Sequence, residues 1–252
     1  MRLSTVAGGM LLGLTAVPLA PPVALHAQDG FLFDQPRVSL SVRGGHHVAV
    51  AGSDIYDFFT EQLTLERGDF SGSTFVGELA VRITPSLDVA ATVGRIASTA
   101  RSESRTHFAD PPILQTTSLR RIPVTATLKY YPLARGRSIG SNAWIPTRLT
   151  PFIGFGGGAL RYDLEQSGEF VDYQTCDEEN VCDIFASTFT SDGWTGTVHL
   201  AGGADYWLTT HLGLSTELRY QWGSAPLGSS FVDFEDIDLR GFQGTVGLSF
   251  RF

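Results

Sequence analysis

Apolar and polar residues alternate along eight segments of the chain, and turn-forming residues separate these segments. A period of two predicts β-strands with two different faces, and no segment sustains the 3.6-residue period of an amphipathic helix. The last segment is the clearest, and its apolar face holds Phe242, Gly244, Val246, Leu248, Phe250 and Phe252. The alternation therefore predicts an all-β chain of eight strands.

The polar faces of these segments indicate what surrounds the strands. Charged residues stand in the middle of most polar faces, and Gly and Ala are frequent on both faces. A soluble sandwich would also alternate, but its solvent-exposed sheets would need more polar surface than this chain supplies. If the apolar faces meet lipid, the charges turn inward and pair across a narrow barrel. We therefore predict an eight-stranded antiparallel transmembrane β-barrel with up-and-down topology.

Connection lengths and aromatic positions support this prediction. The predicted connections near 84–87 and 208–211 are short, and the long ones lie near 51–72, 99–118, 166–193 and 224–238. Alternating short and long connections are typical of a barrel with one periplasmic and one outer end. Only the connection near 133–149 is longer than this rule allows. The predicted outward aromatic residues at the two membrane interfaces are Phe152, Tyr162, Trp194, Tyr206, Phe242 and Phe252.

The N-terminus and the composition restrict the compartment and the partners. Residues 1–27 combine Arg2, an apolar run and a final Ala-Leu-His-Ala, which predicts a cleaved signal peptide followed by an N-terminal lead at 28–35. The remaining segment, 36–252, forms the predicted barrel domain. The chain has 42% hydrophobic and 17% charged residues and a formal charge of −8, which excludes a disordered tail and a nucleic-acid partner.

With its signal, eight alternating segments and final Leu-Ser-Phe-Arg-Phe, the chain resembles the small eight-stranded outer-membrane β-barrels, the OmpA, OmpX and OmpW-like group. The resemblance covers about residues 36–252. It implies the outer membrane of a Gram-negative-type (diderm) bacterium, with lipid and lipopolysaccharide as partners. It also implies that Phe250 and Phe252 form a signal for the outer-membrane assembly machinery. Because Phe252 is the last residue, we expect no appended peptidoglycan-binding domain.

The inward charges predict a filled lumen, by which we mean the interior of the barrel. Eight strands leave a space just wide enough for side chains, so we expect a polar plug of ion pairs rather than a wide pore. A gated ion path is the alternative. The predicted lumen charge network consists of Arg43, Glu78, Arg82, Lys129, Arg161, Asp205, Glu217, Arg219 and Arg251.

Cysteines and acidic residues characterise the long connections. In an oxidising compartment, Cys176 and Cys182 are expected to form a disulfide across the loop, with two free thiols as the alternative. The connections 51–72, 166–193 and 224–238 are rich in acidic residues, which favours solubility or the capture of Ca²⁺ or Mg²⁺. The weak metal-ligand candidates are Asp177, Glu178, Glu179 and Asp183. Otherwise we expect no cofactor.

Three functions are compatible with this sequence. We favour a non-enzymatic structural and surface-interaction protein that stabilises the envelope and presents acidic loops to an unknown surface partner. The first alternative is an OmpW-like narrow channel for small apolar solutes, and the second is a lipid A-modifying enzyme. No G-x-S-x-G or H-E-x-x-H motif occurs, and the spacing around the inward His199 demands no triad, so we predict no catalytic residues.

Overall fold

The structure is a computed structural model, and it describes residues 32–105, 112–140, 143–172, 174–176 and 182–252. The predicted signal peptide and the first residues of the N-terminal lead lie outside the described residues. Across the described part of the chain, no helix is long and apolar enough to cross a membrane.

Twelve strands and three short helical segments follow one another in the described part of the chain. The strands are β1 (Val38–Ala49), β2 (Gly72–Thr84), β3 (Leu87–Glu103), β4 (Leu114–Tyr130), β5 (Gly136–Ile139), β6 (Ala143–Pro146), β7 (Leu149–Asp172), β8 (Asp183–Trp207), β9 (Leu212–Trp222), β10 (Ser224–Ala225), β11 (Ile237–Asp238) and β12 (Gly241–Arg251). The helical segments are α1 (Asp54–Gln62) and two 3-10 helices, Arg67–Phe70 and Ser229–Phe231.

Eight of these strands form a closed antiparallel barrel. Their order around the barrel is β1-β12-β9-β8-β7-β4-β3-β2, so each strand pairs with its predecessor and successor among the eight. Strand β1 pairs with β12 from Ser39 opposite Arg251 to Ala49 opposite Gly241, and this pairing closes the ring. Closure leaves the barrel without an unpaired sheet edge. An unpaired edge would be unstable in lipid, because its backbone groups would lack hydrogen-bond partners. The predicted eight-stranded up-and-down barrel is confirmed.

The two ends of the barrel differ in their connections. At one end, which we call the turn end, β2 and β3 are separated only by Pro85 and Ser86, and β8 and β9 by 208–211. The long connection 133–149 also lies at this end, and its length is explained by the β5–β6 hairpin. The opposite end, which we call the loop end, carries α1, both 3-10 helices and the β10–β11 pair.

Two of the predicted long loops are mostly strand. Strands β7 and β8 contain 24 and 25 residues and stay paired from Leu149 opposite Tyr206 to Asp172 opposite Asp183. Strands β3 and β4 likewise stay paired as far as Glu103 opposite Leu114. The loops themselves are therefore shorter than the predicted 99–118 and 166–193. Since a transmembrane strand needs only about 9–11 residues, both hairpins extend beyond the part of the barrel that lipid can cover.

An apolar belt surrounds the part of the barrel that lies nearest the turn end. Its outward residues include Val42, Phe75, Val93, Ile153, Phe155, Leu200, Leu218, Val246 and Phe250, all exposed. On β7 the belt runs over positions 149–159, which at about 3.3 Å per residue and a tilt near 40° rise roughly 25 Å, the height of a bilayer's apolar band. We call this part of the barrel the membrane section and the part beyond it the loop-end section.

Strand β7 shows that the polarity of the two faces reverses between these sections. Leu160, Tyr162 and Leu164 are buried inside the barrel, whereas Arg161 is exposed on the outside. The prediction that Phe152 and Tyr162 face outward is wrong, because both are buried on the inner face of β7. Phe152 lies in the membrane section, where it packs against Tyr131 and Lys129, and Tyr162 lies in the loop-end section. In the loop-end section the exterior faces water, so charges belong outside and apolar side chains belong inside.

Candidate functional site

The centre of the lumen holds a network of five charged side chains from four strands, β1, β2, β4 and β9. Glu78 accepts from Arg43 at 3.0 Å and from Lys129 at 2.5 Å. Glu217 accepts from Arg43 at 3.2 Å and from Arg219 at 2.9 Å, and lies 3.6 Å from Lys129. Each of these residues is at most 4% exposed. We call Arg43, Glu78, Lys129, Glu217 and Arg219 the central network.

Neighbouring side chains fill the space around the central network. The Lys129 ammonium lies 4.2 Å from the centre of the Phe152 ring, a cation–π distance. Arg219 donates to Thr125 at 3.4 Å, and Thr127 and His199 share a hydrogen bond of 2.9 Å. Buried charges are tolerated only when they are paired and hydrogen-bonded. The arrangement holds three bases against two acids in a closed cross-section.

A second charged group lies at the turn end of the lumen. Arg135 donates to Asp88 at 2.6 Å and to the backbone oxygens of Thr84 and Pro85 at 3.1 Å. Its guanidinium lies 4.2 Å from the Tyr131 ring. The Tyr131 hydroxyl in turn lies 3.5 Å from Asp205.

Two further arginines at the turn end pack against tryptophans. The Arg251 guanidinium lies 3.7 Å from the Trp207 ring centre and 5.4 Å from that of Trp144, and its Nε donates to the Thr210 oxygen at 2.7 Å. Arg82 lies 5.7 Å from the centre of the same Trp144 ring. Trp144 belongs to β6, so the hairpin in the unexpectedly long connection covers this end of the lumen.

Most of the predicted lumen charges point inward, with one exception. Arg161 is 45% exposed and lies 3.6 Å from Asp192 on the outer surface of the loop-end section, so its assignment to the lumen network is wrong. The assignment assumed that the charged face of β7 points inward along its whole length. Because the strand extends beyond the lipid, that assumption fails at the level of Arg161.

Sequence reasoning missed two lumen arginines. Arg121 is buried, and its Nη2 donates at 2.9 Å to the oxygen of Phe70, the last residue of a 3-10 helix. The second is Arg135, which lies in the connection near 133–149 and reaches Asp88 in the lumen. Arg121 lies on the same face of β4 as the inward Lys129, so the alternation could have identified it. No pattern in the sequence indicates that the chain after β4 folds back over the turn end of the lumen.

An apolar cluster closes the lumen at the loop end. Side chains of α1 and the long loops pack against strand residues in this cluster. Its larger members are Ile55, Tyr56, Phe59, Leu63, Leu65, Phe70, Leu119, Leu160, Tyr162, Leu164, Phe231, Ile237 and Leu239. The Tyr56 hydroxyl donates to the Asp238 oxygen at 2.8 Å, and Tyr162 donates to the Pro226 oxygen at 2.5 Å. Burial raises the pKa of Tyr56. We call this cluster the loop-end plug.

Asp238 ties the loop-end plug to the chain leading into β12. Its carboxylate accepts from the backbone N–H of Gly52 at 3.0 Å and from the Arg240 guanidinium at 2.9 and 3.0 Å. Burial alone would raise the pKa of Asp238, but the hydrogen bonds from Arg240 and Gly52 outweigh it, so the pKa lies below its usual value. Asp238 therefore stays ionised and keeps these loops together.

A cavity of about 610 Å³ opens above the plug. Its largest lining side chains are six phenylalanines, Phe58, Phe170, Phe185, Phe189, Phe231 and Phe234. The Phe170 and Phe189 ring centres are 4.7 Å apart, and Gln166 donates to Gln115 at 2.6 Å beside them. Volume and composition are those of a small-molecule pocket.

The remaining predicted site residues are the two cysteines, the four acidic metal-ligand candidates and the C-terminal phenylalanines. The structure joins Cys176 to Cys182 through a disulfide. Asp183 is exposed, whereas Asp177, Glu178 and Glu179 lie outside the described residues. In the part of the chain that the structure describes, no group of three or more His, Cys, Asp or Glu side chains could hold a metal ion. Phe250 and Phe252 face outward at the turn end, and their role in assembly stays a prediction.

Comparisons with known proteins find solved structures that are similar to this chain at low identity. No protein-family model matches the chain, and no curated protein matches it. Similar solved structures include the outer membrane protein OprG from Pseudomonas aeruginosa, with a TM-score of 0.47, 13% identity, and coverage of 88% of this chain and 99% of that one. A major outer membrane protein from Thermus thermophilus has a TM-score of 0.47, 14% identity, and coverage of 87% and 100%. Likeness at this level says nothing of activity.

Proposed function

We propose that this outer-membrane-type β-barrel is a non-enzymatic structural and surface-interaction protein with a closed lumen. The observation that carries the proposal is the central network, whose five side chains pair across the lumen and are at most 4% exposed. A continuous aqueous path would have to break these buried pairs. The loop-end plug and Trp144 cover the lumen above and below the network.

The apolar belt supports a location in a lipid bilayer, and the barrel form supports the outer membrane of a diderm bacterium. In this orientation the turn end faces the periplasm and the loop end faces outward. The acidic loop end would then meet lipopolysaccharide, whose phosphates are also negative, through divalent cations. Envelope stabilisation and contact with a surface partner are the roles that this arrangement supports.

Planar bilayer recordings test the closed lumen. We expect the purified barrel to insert without stepwise conductance. As a positive control for insertion, Arg43→Ala combined with Lys129→Ala should produce openings, because it removes two side chains from the central network. Regular openings of the unaltered protein would contradict the proposal.

The envelope role has its own test in cells. Deleting the gene should increase uptake of large antibiotics that an intact outer membrane excludes, and the unaltered barrel should restore exclusion. A barrel in which the acidic residues of the long loops are replaced by their amides should restore it less well in calcium-containing medium. If that variant restores exclusion fully, the acidic loops do not contribute to envelope stability.

A second candidate function is the capture of small apolar solutes, which the 610 Å³ aromatic cavity favours. Because the loop-end plug lies beneath this cavity, a solute would leave sideways between strands rather than along the barrel axis. Binding of a fluorescent apolar probe, lost in Phe170→Ala and retained in the belt variant Leu200→Ala, would support this function. We do not propose lipid modification, because His199 is fully buried and engaged with Thr127.

A further inference from the structure

The turn end of the lumen carries more positive than negative charge. A small pocket there is lined by four arginines, Arg37, Arg82, Arg135 and Arg251, against two aspartates, Asp88 and Asp205. Each of the three guanidinium nitrogens of Arg135 already has a partner, Asp88 or a backbone oxygen. Among the described residues, neither Arg82 nor Arg251 has a carboxylate within salt-bridge distance.

Buried guanidinium nitrogens face this pocket without a partner. Nε and Nη1 of Arg82 and Nη2 of Arg251 have no hydrogen-bond partner within the described ranges, and Arg251 is only 4% exposed. Both guanidiniums lie within 6 Å of the same ring, that of Trp144, at 5.7 and 5.4 Å. Because Arg82 and Arg251 also line the same pocket, their unfilled donors favour an anion within it.

The space at the turn end indicates how an anion would enter. The inner pocket has a volume of only about 30 Å³, which admits a few oxygen atoms and excludes a bulky organic group. It shares Arg37 and Arg82 with an outer cleft of about 820 Å³. That cleft is also lined by Ile83 and Phe252, whose exposed side chains belong to the outward apolar surface. A ligand can therefore reach the arginines from water or from the edge of the bilayer.

We propose that Arg82 and Arg251, with Arg37 at the entrance, form a binding site for a phosphate-class oxyanion. Planar guanidinium donors from three positions suit a tetrahedral anion with several acceptor oxygens better than a carboxylate with two. The phosphate can come from a lipid headgroup of the adjacent leaflet or from a free phosphate. The site does not depend on whether the lumen conducts, so it can fail or hold independently of the closed-lumen proposal.

Thermal unfolding and titration in a maltoside detergent test the site with inorganic phosphate as the probe. We expect phosphate to raise the melting temperature above that in sodium chloride or acetate of equal ionic strength. Arg82→Gln should weaken phosphate binding by roughly tenfold or more, because charge-assisted hydrogen bonds are lost. Arg120→Gln makes the same charge change at the loop end, where Arg120 pairs with Asp163 at 3.3 Å, and should bind like the unaltered protein.

Two further measurements identify the source of the phosphate and keep the test valid if the first variant does not fold. If phosphatidylglycerol stabilises the barrel and abolishes the effect of free phosphate, while diacylglycerol does not, the phosphate is a lipid headgroup. If only free phosphate acts, the ligand is soluble. Should Arg82→Gln fail to fold, Arg37→Gln, outside the strands, should weaken binding instead. Absence of any phosphate effect, an equal effect of acetate, or unchanged binding in the folded arginine variants would overturn the proposal.

Discussion

The membrane section and the loop-end section are built from the same strands but with opposite polarity. Below Ala159, β7 directs Ile153 and Phe155 outward, while the neighbouring lumen holds Lys129 and Glu217. Above it, β7 directs Leu160 into the plug and Arg161 into solvent. Alternation along a strand thus shows that the strand has an apolar face and a polar face. Whether the polar face points inward or outward depends on whether lipid or water surrounds that part of the barrel.

This difference also determines how each section is held together. The membrane section depends on paired charges whose desolvation has been offset by hydrogen bonds. The loop-end section depends on apolar burial, as a soluble domain does. The two sections should therefore respond differently to the same kinds of substitution, and the following predictions are ordered by the size of the expected effect.

The largest effect is expected in the central network. Glu217→Ala should destabilise the barrel by about 3–5 kcal/mol, because Arg43, Lys129 and Arg219 keep their buried charges and lose an acceptor. Glu217→Ala combined with Arg219→Ala restores the charge balance and should cost at least ~1 kcal/mol less than the single change. Urea unfolding in lipid measures both, and equal unfolding midpoints would contradict this prediction.

In the loop-end plug, a large-to-small substitution should lower stability by leaving a cavity. Leu160 is fully buried in the plug, so Leu160→Ala should destabilise the loop-end section by about 2–5 kcal/mol. The matched control is Leu200→Ala in the apolar belt, where lipid can fill the space. Hydrogen exchange of plug amides reports the change, and equal protection in the two variants would argue against a packed plug.

Acid should loosen the loop-end section through Asp238. Its pKa is lowered in the folded protein, so its contribution to stability is complete above the unfolded pKa of about 3.9 and is lost as the pH falls through the folded value. The amides of Gly52 and Arg240, which donate to Asp238, should then exchange faster. Asp238→Asn should show faster exchange at neutral pH with no further acceleration in that pH window.

The smallest effect is expected at Arg161. Because Arg161 and Asp192 are both exposed, Arg161→Ala should change the free energy of unfolding by no more than about 0.5 kcal/mol. A loss of stability as large as that of Glu217→Ala would show that Arg161 lies in the lumen after all. The same urea unfolding experiment measures it.

The sequence was sufficient for the number and order of the eight barrel strands, because alternation over eight segments reports directly on the pleat. It was not sufficient for the lengths of β3, β4, β7 and β8, which continue beyond the lipid. It also identified the central network, since Arg43, Glu78, Lys129, Glu217 and Arg219 all lie on polar faces within the membrane section. It failed at Arg161 and Tyr162, because alternation cannot show where lipid ends. Arg135 and Trp144 were missed because their positions depend on a connection folding back, which no local pattern encodes.

Quenching of a fluorescent label along β7 tests most directly which surface meets hydrocarbon. The label would be attached to a single cysteine at Phe155, Ala159 or Arg161 in a background in which Cys176 and Cys182 are serine. We predict that labels at Phe155 and Ala159 are quenched by brominated lipid and that the label at Arg161 is quenched by aqueous iodide. Quenching of the Phe155 label by iodide alone would contradict the account.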